Sequence, residues 1–327
     1  MRKPIPKVLI AAVIYLGLAL CMYLPYFANF TTRQFLIPVN IVIAAAGCFV
    51  LSRRWVPSFA ASLFAGALYG FGPFMLWICT YHFTVAALAA FVPWFFCPAA
   101  YMPKKGYWPI VSRVLSLLPF AAIVGLFLLS SYIHLYPIPI TVRATAVTFY
   151  GIINPLANSN FTDVPFVFYH VPVIALAMGV LMMFMAGRIG GMLIFAVAVV
   201  LSLSKSFLGI SPAVWLSIAS VCAAVAAGLG ADGLTRAGKK DAKWILAIVV
   251  LTIALYLEPV LSGQGWFGWP ATTVTDQMRL LAIIASAILL IAAWTKLRVP
   301  WLKFAVLYSA IATDLFLSAQ ITLENVM

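Results

Sequence analysis

Apolar blocks of 16 to 25 residues recur along the chain, separated by short charged or Gly/Pro-bearing turns. About 20 such residues, rising ~1.5 Å each, cross ~30 Å of hydrocarbon. Backbone inside lipid must satisfy its own hydrogen bonds, which makes the helix the spanning form for blocks of this length. The spacing predicts spans at 8–28, 35–51, 58–79, 83–102, 111–135, 164–186, 189–204, 212–231, 244–261, 279–294 and 299–319. The expected fold class is all-α: a polytopic transmembrane bundle of about eleven helices, forming one integral membrane domain over residues 1–327.

Composition removes the alternatives. Of 327 residues, 65% are hydrophobic and 8% charged, with a mean hydropathy of +1.11. Soluble domains carry about 25% charged residues, and no water-facing fold hides this much apolar surface. The first block follows Met-Arg-Lys-Pro-Ile-Pro-Lys as a signal peptide would. Its apolar run is too long and no small-residue cleavage site follows cleanly, so it reads as an uncleaved first helix. Cys21, Cys48, Cys79, Cys97 and Cys222 have no metal-ligand spacing and read as small packing residues.

The net charge of +13 does not point to nucleic acid, because basic residues sit singly or in short groups between apolar blocks instead of clustering on one polar face. They set orientation. With the N-terminus in the cytoplasm and the C-terminus outside, only Arg33, Arg143, Lys205 and Arg279 of the 20 Lys and Arg fall outside, as the positive-inside rule demands. The short seventh span is kept because losing it would carry the 236–243 basic cluster across the membrane.

Both longer loops, 137–163 and 262–277, are external on this topology. Their Trp, Tyr, Phe and Pro suit the headgroup layer. Asp232 and Asp241 are cytoplasmic, whereas Asp163, Glu258, Asp276, Asp314 and Glu324 map to outer loops or outer span halves, as do His82, His134 and His170. A charge inside the bilayer costs roughly 2.5 to 3.5 kcal/mol or more and is usually turned to a partner or a wet cavity. Asp314, deep in the last span, is the costliest, and Arg143 and Arg279 are external cations able to pair with it. No phosphate-binding Gly-rich loop, His-Glu-x-x-His, Gly-x-Ser-x-Gly or Cys-x-x-Cys occurs. Gly66-x-x-x-Gly70 and Gly187-x-x-x-Gly191 have the spacing of close helix approach. Pro38, Pro73, Pro93, Pro119 and Pro172 are candidate kinks.

Two stretches carry a family likeness. Residues 40–102 hold a span, a basic turn, an Ala/Gly-rich span ending in Gly-x-x-x-Gly-x-Gly-Pro, an outer turn with His82, and a span with Val-Pro-Trp; residues 169–236 end in Ala-Ala-Val-Ala-Ala-Gly-Leu-Gly-Ala-Asp-Gly-Leu-Thr-Arg. Together, about two-fifths of the chain resembles the YfhO-type branch of the GT-C membrane glycosyltransferases in hydropathy rhythm and small-residue placement. The resemblance implies a bundle that uses a polyprenyl-phosphate sugar at the outer face, with an acid in the first outer loop. That loop, near residues 29–34, holds only Arg33, so the family's acid has no counterpart here.

On this reading Asp163, Glu258, Asp276 and Asp314 are the catalytic candidates, acting as base or holding a divalent cation against phosphate. Arg143, Arg279, His82, His134 and His170 are the substrate-binding candidates, the arginines balancing phosphate charge. The expected function is binding or transfer of a lipid-linked sugar at the outer leaflet of a bacterial cytoplasmic membrane. Membrane lipids, and in one reading a membrane protein, would be the partners. Two rivals stand beside it: a non-catalytic assembly scaffold, and a proton- or cation-coupled transporter working through Asp314 and Glu258.

Overall fold

The computed structural model describes residues 5–29, 34–103, 106–132, 173–204 and 207–236, with positions 305, 308, 309, 312, 315, 316 and 319 near the C-terminus. Those residues are helical, apart from turns and one isolated bridge between Phe207 and Ile210. The first span is α1 (Ile5–Tyr23), which tightens into a 3-10 turn over Leu24–Asn29, where Pro25 supplies no N–H to continue the α-helix. Then come α2 (Leu36–Ser52), α3 (Phe59–Gly70), α4 (Pro73–Tyr81), α5 (Phe83–Tyr101), α6 (Trp108–Leu115), α7 (Leu118–Tyr132), α8 (Val173–Met185), α9 (Ile189–Leu203) and α10 (Pro212–Arg236).

Four helical stretches are long and apolar enough to cross a membrane: Lys7–Phe27, Phe59–Thr80, Thr84–Tyr101 and Val214–Arg236. A fifth is formed if α6 and α7, bent by 41° at their junction, make one span. α2, Ala175–Met185 within α8, and α9 are apolar but shorter. The chain is thus all-helical and membrane-embedded over its described residues. The described parts of the first eight expected spans fall on helix, while 133–135 of the fifth, 164–172 of the sixth, all of 244–261 and 279–294 and most of 299–319 lie outside the described residues.

Contact pairs fix the helix directions. Cys48 Sγ reaches the Ala65 carbonyl at 3.4 Å, and a Cβ at Gly70 would stand 2.7 Å from the Ile41 oxygen, so α2 and α3 run antiparallel. Trp94 Nε1 donates to the Ile43 carbonyl (3.0 Å) and Tyr101 Oη to that of Val50 (2.5 Å), so α5 runs parallel to α2. The turns bearing Arg53, Arg54 and Arg188 and the last turn of α10 with Arg236 therefore gather at one end of the bundle, and His82 lies at the other.

Burial separates centre from rim. In α10, 94% of the apolar window is buried, against 22% in α1. Ala11, Tyr15, Ala19 and Tyr23, a stripe at four-residue spacing, turn α1 inward; Leu9, Val13, Leu16 and Leu20 stay exposed and would face lipid. α10 can be central because it is thin. A Cβ at Gly230 would fall on the Ala175 carbonyl oxygen, and one at Gly179 on that of Ala226, so α8 and α10 meet backbone to backbone.

Proline and glycine place the breaks. The third span is interrupted at Phe71-Gly72, and Pro73 opens α4 at a position whose N–H would lack an intrahelical partner anyway. Pro93 leaves the Ala89 carbonyl without its usual donor in α5, and Tyr69 Oη supplies one from α3 at 2.6 Å. Of the two Gly-x-x-x-Gly pairs, Gly66 and Gly70 do sit in close helix contact. Gly187 does not. It takes φ +63°, finds no atom near its would-be Cβ, and ends α8 while the Arg188 N–H bonds back to the Met183 carbonyl at 3.0 Å.

Candidate functional site

Of the site residues expected from sequence, His82 alone is described. Asp163, Glu258, Asp276, Asp314, Arg143, Arg279, His134 and His170 lie outside the described residues. His82 forms the one-residue turn between α4 and α5, with φ −144° and ψ 81°. Its N–H donates to the Ile78 carbonyl (2.9 Å) and its own carbonyl accepts from Ala86 N–H (2.8 Å), which closes one helix and starts the next. The ring is half-buried with its centroid 6.0 Å from that of Trp77, and burial lowers its pKa from the ordinary 6.5. Among the described residues, no three His, Cys, Asp or Glu side chains come close enough to hold a metal ion.

The built concavity lies at the opposite, basic end. A cavity of about 560 Å³ opens between the ends of α2 and α5, the bent α6–α7 junction, the α8–α9 turn and the middle of α10. Such a volume is in the roughly 300–1,000 Å³ range of small-molecule sites. Leu51, Trp55, Phe96, Leu193, Ile194, Val221 and Val225 make its wall hydrocarbon. Gly190 and Gly191, at the start of α9, leave room that side chains would occupy. Its polar lining comes from Ser112, Arg113, Ser116 and Arg188.

α6 explains how charge reaches a greasy wall. Trp108, Ile110, Val111 and Val114 are exposed on one face, as on a helix lying in the headgroup layer. Ser112 is half-buried and Arg113 exposed, both at the edge of the cavity, and Ser112 Oγ fastens α6 to α5 by donating to the Ala99 carbonyl at 2.7 Å. Ser116 Oγ donates to the Arg113 carbonyl at 2.5 Å. Arg188 precedes α9 as its N-cap without a side-chain cap hydrogen bond. Partial burial, and secondarily the neighbouring Arg54 charge, lower its pKa.

Sequence reasoning assigned Arg113 and Arg188 only to orientation. The one available signal was an arginine followed two residues on by Gly190-Gly191, which puts a cation beside absent side chains. Asp232, expected at the cytoplasmic surface, is at the basic end but only 3% exposed. Arg236 grips it with Nε and Nη2, each at 3.2 Å.

With this geometry in hand, comparison with protein-family models, with characterised proteins and with solved structures finds no match to the chain.

Proposed function

We propose that this chain is a lipid-handling integral membrane protein that takes the hydrocarbon chain of a lipid into the cavity beside α9. The finer reading is a GT-C-like protein that also acts on, or binds, a polyprenyl-phosphate-linked sugar at the outer leaflet. One observation carries the lipid reading: an apolar cavity of about 560 Å³ in a membrane-embedded bundle, with cationic groups at one end of an otherwise hydrocarbon lining. Sites of this kind bury most of a ligand's surface and orient it with a few polar groups. On this reading the positive-inside rule makes the basic end cytoplasmic, and the membrane is a bacterial inner membrane.

The transfer reaction of the finer reading would belong to Asp163, Glu258, Asp276 or Asp314 at the outer face, the end opposite this cavity, so the cavity is a lipid site apart from that reaction. The scaffold reading is the rival; Gly66, Gly70, Gly179 and Gly230 are taken up in contacts within the chain, whereas Gly17 and Gly125 are open.

Native mass spectrometry of the purified full chain tests the binding. The wild type should retain a lipid-sized adduct. Gly190→Leu, which fills open space at the cavity, should cut retention at least fivefold with unchanged melting temperature. Equal retention by both proteins would remove the cavity as the lipid site.

A further inference from the structure

We propose that Arg113 and Arg188 are the headgroup site of this cavity, selecting a lipid whose head is a phosphate and drawing it from the leaflet at the basic end of the bundle. The inference rests on the reading that the cavity holds a lipid chain, and adds the chemistry that orients that chain.

Two of the other three described arginines at this end are engaged, and the third, Arg54, does not line the cavity. Arg53 Nη1 donates to the Val56 and Pro57 carbonyls, at 3.2 and 2.6 Å, and Arg236 is engaged with Asp232. Among the described residues, Arg113 and Arg188 meet no carboxylate, and both line the cavity. Arg188 is partly buried at this hydrocarbon-walled space and Arg113 is exposed at its rim, so among the described residues both guanidiniums are open to an anion that enters the cavity. Arg54 adds a third positive charge close enough to disfavour the charged form of Arg188.

The neighbouring polar groups narrow the donor set. Ser112 and Ser116 have already given their hydroxyl protons to carbonyls, so the guanidinium forks supply the side-chain donors. The first-turn N–H groups of α9, beside Gly190 and Gly191, lack intrahelical acceptors and add to the positive potential. A phosphate offers several acceptor oxygens and up to about two negative charges, the geometry that planar Arg forks match. The hydrocarbon wall requires that this phosphate carry a tail.

This places the grip at the end opposite His82, away from the outer-face groups singled out by sequence.

Native mass spectrometry on the detergent-solubilised full chain would compare dioleoylphosphatidic acid with dioleoylglycerol, which has the same tails and no phosphate. The wild type should prefer the phosphatidic acid at least tenfold. Arg113→Gln and Arg188→Gln should each erase most of that preference while keeping dioleoylglycerol binding, and Arg188→Lys should restore it in part. Arg236→Gln, which removes the same charge at the same end away from the cavity, should leave the preference intact.

Equal binding of the two lipids by wild type would overturn the headgroup site and leave the lipid reading standing. No binding of either lipid would sink both. Loss of preference in Arg236→Gln would reduce the effect to general surface charge and defeat the proposal, as would displacement of phosphatidic acid by inorganic phosphate at equal concentration.

Discussion

At the scale of single residues, stability is governed by whether a Cβ has somewhere to go. Gly179 and Gly190 are both helical glycines, in α8 and at the start of α9. A Cβ at Gly179 would land on the Ala226 carbonyl oxygen, whereas one at Gly190 meets nothing within 4 Å. Gly179→Ala should therefore lower the melting temperature in detergent, by about 1–3 kcal/mol of overpacking. Gly190→Ala should be neutral or gain about 0.4–1 kcal/mol through the unfolded chain. Equal losses in the two variants would contradict the backbone contact between α8 and α10.

His82 carries a residue-scale pH dependence. Burial lowers its folded-state pKa below the ordinary 6.5, so the fold favours the neutral ring. Its contribution is complete above the unfolded pKa and is lost as pH falls from about 6.5 through the folded value. Thermal unfolding of wild type should show a melting temperature that declines from pH 7 towards pH 5, with a shallower decline in His82→Gln. Parallel slopes in the two proteins would mean that the ring does not set this dependence.

Between elements, polar side chains do a job that the helices cannot do for themselves in a low-dielectric interior. Pro93 keeps α5 apolar and helical but orphans the Ala89 carbonyl, and Tyr69 repairs the loss from α3. Tyr69→Phe should cost about 1–3 kcal/mol, the penalty of a buried unsatisfied acceptor. In a Pro93→Ala background, where the substituted residue would offer its own N–H to that carbonyl, the same change should cost distinctly less. A double-mutant cycle with no coupling would show that Tyr69 serves some other purpose. Pro93 was visible in the sequence as a kink candidate; its compensating tyrosine was not, because the two meet only once α3 and α5 are packed antiparallel.

At the scale of the whole molecule, the packed pairs make α2, the α3–α4 span and α5 alternate in direction, so Pro57 and His82 should lie on opposite sides of a membrane. In intact cells, a membrane-impermeant thiol reagent should label His82→Cys directly and Pro57→Cys only after permeabilisation. Labelling of both from one side would break the alternation and the orientation built on it.

Much of the architecture was legible in the chain because a bilayer permits so few solutions. Blocks of about 20 apolar residues must become helices, and the basic turns between them must stay together on one side. The apolar rhythm thus placed a helix at each described block from α1 through α10, except that Gly72-Pro73 divides the third span, the α6–α7 bend divides the fifth, and 164–172 of the sixth lie outside the described residues. The cavity was not legible. It lies where α9 at Gly190 and Gly191, the ends of α2 and α5, and α6 come together, with the exposed Arg113 of α6 at its rim. Local hydropathy reports what each segment needs from lipid; which charges face one another depends on contacts between segments far apart in sequence, and only tertiary packing decides those.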